Sequence, residues 1–139
     1  METLESNNRI AIDVGLVVTD LERSLDFYQH TLGLTYKLEL QTSLIGKGRM
    51  IQLVHGESLL KLIEFEKQPA ASDILSISQV TGIRYITLMV KEIHDLLSKV
   101  EDSGYQEQMP LTQLGNGALI AMVSDPDGNI VELVQEVNG

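Results

Sequence analysis

Four polar residues stand alone among apolar neighbours in this chain: Asp13, Lys61, Tyr85 and Glu132. Carboxylates can ligate a divalent cation or move a proton. A phenol can donate a hydrogen bond to a carbonyl or serve as general acid, and a lysine can hold an anion or, with its pKa lowered by burial, act as a base. Strand alternation assigns each a face. Asp13 goes with Ala11, Gly15 and Val17, away from Ile12, Val14, Leu16 and Val18. Tyr85 goes with Thr87 and Met89, away from Ile86, Leu88 and Val90. Lys61 is the lone charge on the face of Leu59, Ile63 and Phe65, and Glu132 the lone charge on that of Ile130 and Val134. An apolar surface with a few polar anchors is how a small-molecule cleft is built, so Asp13, Lys61, Tyr85, Thr87, Met89 and Glu132 are the expected ligand-binding residues. Glu132, Lys61 and Tyr85 are the catalytic candidates if a reaction is run there.

These positions form two matched pairs because the chain is written twice. An alternating strand passes into an amphipathic helix at Ile10–Leu25 and again from Ile83 to Leu97. Leu21, Leu25, Tyr28 and Leu32 recur at helical spacing, as do Ile93, Leu96, Leu97 and Val100, and the helices close near Gly33 and Gly104. Asp20 is the expected N-cap of the first helix. Hairpins follow in both halves. Arg49–Val54 and Leu59–Phe65 flank His55-Gly56-Glu57-Ser58, while Ala118–Val123 and Ile130–Glu136 flank Asp125-Pro126-Asp127-Gly128. Pro presets one turn dihedral and Gly supplies the left-handed one, so the second turn is well specified. Thr35–Leu40 reads as an additional strand, and its counterpart between Gln106 and Leu114 is undefined. Each half is thus β-α-β-β-β. One domain over residues 1–139 is expected, with a first module at about 9–66, a linker at about 67–81 and a second module at about 82–137. Ile74, Leu75 and Ile77 make that linker apolar enough to pack against something. By symmetry Asp13 pairs with Tyr85 and Lys61 with Glu132, and all four are expected to converge on one place.

Composition narrows the classes. A chain of 139 residues can bury a sizeable core. No apolar run spans a bilayer, and Met1–Arg9 lacks the basic start and apolar stretch of a signal peptide, so a soluble, cytoplasmic protein without a membrane partner is expected. The net charge of -10, with Lys and Arg scattered singly, weighs against nucleic acid. The absence of cysteine removes disulfides, thiolate zinc sites and cysteine nucleophiles. Gly46-Lys47-Gly48 lacks the strand and helix of a phosphate loop and reads as a hairpin bend. No nucleophile elbow is present.

The runs Val14-Gly-Leu-Val-Val-Thr-Asp-Leu-Glu-Arg-Ser-Leu-Asp-Phe-Tyr-Gln-His-Thr-Leu-Gly-Leu34 and Ser124-Asp-Pro-Asp-Gly-Asn-Ile-Val-Glu-Leu-Val-Gln135 resemble the vicinal oxygen chelate superfamily, also called the glyoxalase/bleomycin-resistance/dioxygenase family. The resemblance covers essentially the whole chain. It implies an α+β fold of paired βαβββ modules, an open curved-sheet barrel with helices outside, often in a homodimer. It also implies metal ligands at four positions, commonly His, Gln or Glu, which here are Asp13, Lys61, Tyr85 and Glu132. Only Glu132 matches outright. A protonated lysine has no lone pair and repels a cation, and a tyrosine coordinates well only as phenolate. No cofactor is therefore expected, and a divalent metal, if any, would fall to Asp13 and Glu132. The structural reading of Lys61 is an ion pair filling the vacated space between Asp13 and Glu132. Tyr85 then reads as a core aromatic with its hydroxyl on a carboxylate.

His30, His55 and His94 read as surface residues. Arg84 alternates to the helix side and reads as structural, while Arg49 has no assigned direction. Met89 offers the cleft an adaptable apolar wall. The leading expectation is a metal-independent protein that binds a small, partly apolar organic molecule. The alternatives are a lyase or isomerase using the cleft's acid-base groups, or a metal-dependent glyoxalase or dioxygenase with an unusual site.

Overall fold

Each half of the chain builds the same four-stranded sheet. The computed structural model describes residues 9–70 and 77–137, so Met1–Asn8 of the leader reading and Ile74 and Leu75 of the linker lie outside the described residues. The first half runs β1 (Val14–Val17), α1 (Leu21–Leu25), a wider π-helical turn (Asp26–Thr31), β2 (Thr35–Thr42), β3 (Gly48–His55) and β4 (Ser58–Phe65). The second runs β5 (Tyr85–Met89), α2 (Ile93–Asp102), β6 (Glu107–Gln113), β7 (Leu119–Ser124) and β8 (Ile130–Gln135). The strand orders are β1-β4-β3-β2 and β5-β8-β7-β6. In each sheet the first strand lies parallel to the last and the others are antiparallel. This is the α+β arrangement of paired βαβββ modules, with two sheets that do not close on each other. Among the described residues, no helix is long and apolar enough to cross a membrane.

β6 occupies the stretch that pattern alone left undefined. Two register shifts against β7 break its alternation, and Pro110 lies within it.

Matching caps seat the two helices. Asp20 accepts from the backbone N–H groups of Glu22 and Arg23 at 3.1 and 3.3 Å. The N–H of Leu21 donates to Glu64 Oε2 near the end of β4 at 2.8 Å. At the equivalent place the N–H of Ile93 donates to Gln135 Oε1 at the end of β8, also at 2.8 Å. After α1 the helix widens, and the Leu32 N–H reaches back five residues to the Phe27 carbonyl. That widening turns both Phe27 and Tyr28 fully inward, where a regular helical face selects Tyr28 and leaves Phe27 out.

The helix-side residues of both sheets form one core, from Leu21, Phe27, Ile51 and Leu62 to Ile93, Val123, Val131 and Leu133. Polar contacts lock the modules across it. The buried Tyr28 hydroxyl donates to Asp125 Oδ2 at 2.6 Å. Asp125 also accepts from the N–H groups of Asp127 and Asn129 and from Asn129 Nδ2, which organises the turn before β8. Thr19 Oγ1 donates to Asp127, the Tyr105 hydroxyl donates to Asp26, and Phe27 meets Tyr28 and Tyr105 edge-on, each at 4.8 Å.

The opening strands are shorter than the alternation suggests. Asp13 lies one residue before β1 and Tyr85 is the first residue of β5, rather than either standing mid-strand. β1 pairs only with β4, whose turn ends at Ser58, so the chain before Val14 overhangs the sheet. Ile12, expected to face the helix, is consequently 82% exposed, and Ile83 beyond the start of β5 is 85% exposed. In the linker Ile77 is 38% exposed.

Replacing Tyr28 by Phe should destabilise the chain by about 2 kcal/mol, the scale of a hydrogen bond to a charged acceptor. Burial, and then the Asp125 charge and its hydrogen bond, push the Tyr28 pKa well up. Its contribution is therefore complete below the unfolded pKa near ~10 and lost as pH rises beyond it. Urea midpoints between pH 8 and 11 should fall for the wild type and fall less for Tyr28→Phe.

Candidate functional site

The register aligns the two halves residue by residue. Gly15 lies beside Lys61 in the β1–β4 ladder, and Thr87 beside Glu132 in the β5–β8 ladder. Lys61 and Glu132 thus occupy equivalent mid-strand places, as do Asp13 and Tyr85 just ahead of Val14 and Ile86. The face they share is the one away from the helices. It is apolar, with Met50 and Ile63 in one module and Ile120, Met122 and Val134 in the other. It is also open: Val17 is 46% exposed, Tyr85 43% and Met89 45%.

The charges on this face do not pair as expected. Both oxygens of Asp13 accept from the Arg9 guanidinium, at 2.8 and 2.9 Å, and Oδ1 also accepts the Leu59 N–H at 2.8 Å. The hydrogen bonds from Arg9 and then Leu59 hold the Asp13 carboxyl far below the usual carboxylate range. Arg9 also donates to the Glu57 carbonyl at 2.7 Å, so the overhanging chain is pinned to the β3–β4 turn. Glu132 Oε1 accepts from the Thr87 hydroxyl at 2.7 Å. No hydrogen bond or ion pair joins Lys61 to Asp13 or Glu132; the half-buried lysine acts on Asp13 only through its charge, at longer range. Tyr85 is 43% exposed and makes no hydrogen bond to a described carboxylate. The structure therefore joins Thr87 to Glu132 but does not join the four residues into one network. Arg9, which takes Asp13, was the partner that alternation could not find, because it belongs to the overhang.

These residues do not fit a divalent ion. Asp13 is committed to a guanidinium, Lys61 presents only donors and Tyr85 a phenol, a poor ligand, which leaves the Glu132 carboxylate. Among the described residues no group of three or more His, Asp or Glu side chains gathers as a metal centre needs.

A cavity of about 340 Å³ opens where the start of β1 and the turn before β4 meet β5. Ile12, Val14, Leu60, Ile86 and Leu88 give it apolar walls, while His55, Ser58 and Thr87 supply polar groups. It is flanked by both site pairs, since Thr87 donates to Glu132 and the lining residue Leu59 donates to Asp13. His55, expected at the surface, is half-buried in this lining, because it ends β3 rather than standing in the free turn. His30 and His94 are exposed. Arg49 turns to Glu39, at 3.2 Å, with Glu22 and Glu64 nearby, and ties β2, β3 and α1 together.

The sequence matches the Glyoxalase/Bleomycin resistance protein/Dioxygenase superfamily over residues 9–133. No curated protein matches it. Among solved structures, a glyoxalase family protein from Bacillus cereus superposes with a TM-score of 0.78 at 18% identity, covering 98% of this chain and 100% of that one. A V278E glyoxalase I mutant from Zea mays gives a TM-score of 0.74 at 21% identity over 91% of this chain and 44% of that one. The trypanothione-dependent glyoxalase I of Leishmania major gives 0.67 at 23% identity, over 89% and 84% of the two chains. At these identities the likeness is one of fold.

The Asp13–Arg9 pair has a consequence in acid. A carboxyl with a depressed folded pKa contributes stability that is present above its unfolded pKa near ~3.9 and lost as pH falls below it. Urea midpoints followed from pH 7 to pH 3 should drop more steeply for the wild type than for Asp13→Asn. Equal slopes would contradict the pairing.

Proposed function

Because the chain belongs to the Glyoxalase/Bleomycin resistance protein/Dioxygenase superfamily, and its ligand-equivalent residues do not fit a divalent ion, we propose that it binds a small, partly apolar organic molecule without a metal. Lys61 carries this reading. In a chain of net charge -10, a half-buried lysine that no carboxylate hydrogen-bonds or ion-pairs, on an apolar strand face, is an anchor for an acceptor group of the ligand. The 340 Å³ cavity at the β1–β5 junction, whose lining includes Leu59 and Thr87, offers apolar walls for such a ligand. Asp13, Tyr85, Thr87, Met89 and Glu132 border the same surface, with Asp13 positioning the Arg9 overhang and Met89 supplying an adaptable wall.

The open apolar face around Val17, Tyr85 and Met89 is where a second copy of the chain would complete the cleft, and a homodimer is part of this proposal. An acid-base lyase or isomerase is the second reading. The Thr87–Glu132 hydrogen bond favours it, because a hydroxyl that fixes a carboxylate also aims it at a bound carbonyl compound. In that case Glu132 is the base, with Tyr85 or Lys61 the proton donor.

An anilinonaphthalene sulfonate dye, apolar with one anionic group, is a suitable probe. The dye should bind saturably, unchanged by a chelator, about tenfold more weakly to Lys61→Met, and as well to Glu132→Gln as to the wild type. Binding that a chelator abolishes and a divalent ion restores would sink the metal-free reading. Turnover of a carbonyl compound that ignores the chelator but disappears in Glu132→Gln would replace sequestration with acid-base catalysis.

A further inference from the structure

Arg84 carries an unmet hydrogen-bonding demand. Its Nε and Nη1 are buried and have no partner, although a guanidinium shielded from water normally meets a carboxylate or carbonyl. No ion pair reaches it among the described residues. The carboxylates of the adjoining turn are committed elsewhere, Asp125 to Tyr28 and Asn129, and Asp127 to Thr19.

The pseudo-twofold relation of the modules shows how unusual the position is. Ile12 corresponds to Arg84, Val14 to Ile86, Ser58 to Asn129 and Leu59 to Ile130. The apolar cavity at the Ile12 end of the β1–β5 junction therefore has a counterpart at the Arg84 end, bordered by Leu16, Ile86, Asn129 and Ile130. There the space is only about 50 Å³, with Arg84 in its lining. That volume is on the order of one or two waters, room for a carboxylate group and little more. At its mouth lie the apolar surfaces of Ile83, 85% exposed, and Tyr85, 43% exposed, which also line it.

We propose that Arg84 anchors a carboxylate-binding subsite at this end of the junction, taking a small apolar organic acid. One edge of the guanidinium, Nε–H with Nη2–H, presents two parallel donors to the oxygens of a carboxylate and would meet the unpartnered Nε. The body of the acid lies against Ile83 and Tyr85. On a strongly acidic chain an anion is repelled almost everywhere, so an unpaired buried guanidinium is what admits one. This subsite shares Tyr85 with the Lys61 face but does not use Lys61.

The test is an NMR titration of the full-length chain with benzoate and, separately, with its uncharged analogue benzamide, following the Arg84 Nε–H signal. Benzoate should shift that signal saturably. Benzamide should bind at least tenfold more weakly. Lys61→Met should leave the response intact, whatever becomes of dye binding. Arg84→Met, which keeps the stem and removes the unpaired charge, should lose the benzoate response at the Tyr85 and Asn129 amides while unfolding at the same or a higher urea concentration. Arg84→Lys provides a second variant that keeps the charge without the fork, and should bind benzoate several-fold more weakly. The proposal is overturned if benzoate leaves Nε–H unmoved, if the amides respond equally in Arg84→Met, or if the signal moves with protein concentration alone. That last result would mean a carboxylate of a second copy fills the site.

Discussion

The hydrogen bond from the Tyr28 hydroxyl to Asp125 is the contact on which the two halves of the molecule depend. It lies in the core, between residues far apart in sequence, and each partner also organises its own module. Tyr28 faces inward at the regular helical spacing, the widening after Leu25 brings Phe27 in beside it, and Asp125 gathers the backbone of the turn that launches β8. The register of β8 then sets which face Glu132 takes, and through the β5 ladder it sets Thr87 beside it. The runs that carry the family resemblance, Asp26-Phe27-Tyr28 and Ser124-Asp125-Pro126-Asp127-Gly128, meet at this contact. They hold the scaffold together.

What the scaffold presents is a cleft face whose charges have been redistributed. Asp13 is drawn away by Arg9, Glu132 is held by a neutral hydroxyl, and Lys61 is left without a directly bonded carboxylate. A site of this kind cannot gather hard oxygen donors around a cation, yet it keeps a polar anchor on an apolar surface. The pseudo-twofold relation also leaves the junction of β1 and β5 lopsided, with an apolar cavity at one end and a guanidinium at the other. The two places are equivalent in the fold, and Ile12 at one and Arg84 at the other make them chemically different.

Most of the fold was legible in the sequence because alternation and helical spacing are strong where both faces of an element are constrained. Lys61 and Glu132 fell mid-strand as read, since β4 and β8 have neighbours on both sides. Asp13 and Tyr85 were misplaced towards strand centres because β1 and β5 each have one ladder partner, and alternation continues past the point where hydrogen bonding stops. Phe27 was missed because the π-helical turn departs from the regular spacing. The Lys61 ion pair was inferred from charge complementarity alone, and Arg9 proved a nearer partner for Asp13. His55 and Arg84 needed three dimensions, since what matters at each is a neighbour from the other module.

The central claim is that this cleft works without a divalent ion, and elemental mass spectrometry tests it most directly. The purified chain would be incubated with excess zinc, nickel, iron or manganese, desalted, and its bound metal counted. The donor set described here predicts occupancy near zero for every ion. Occupancy near one ion per chain, lost on replacing Asp13 and Glu132 together, would contradict the account and restore a chelate centre at these positions.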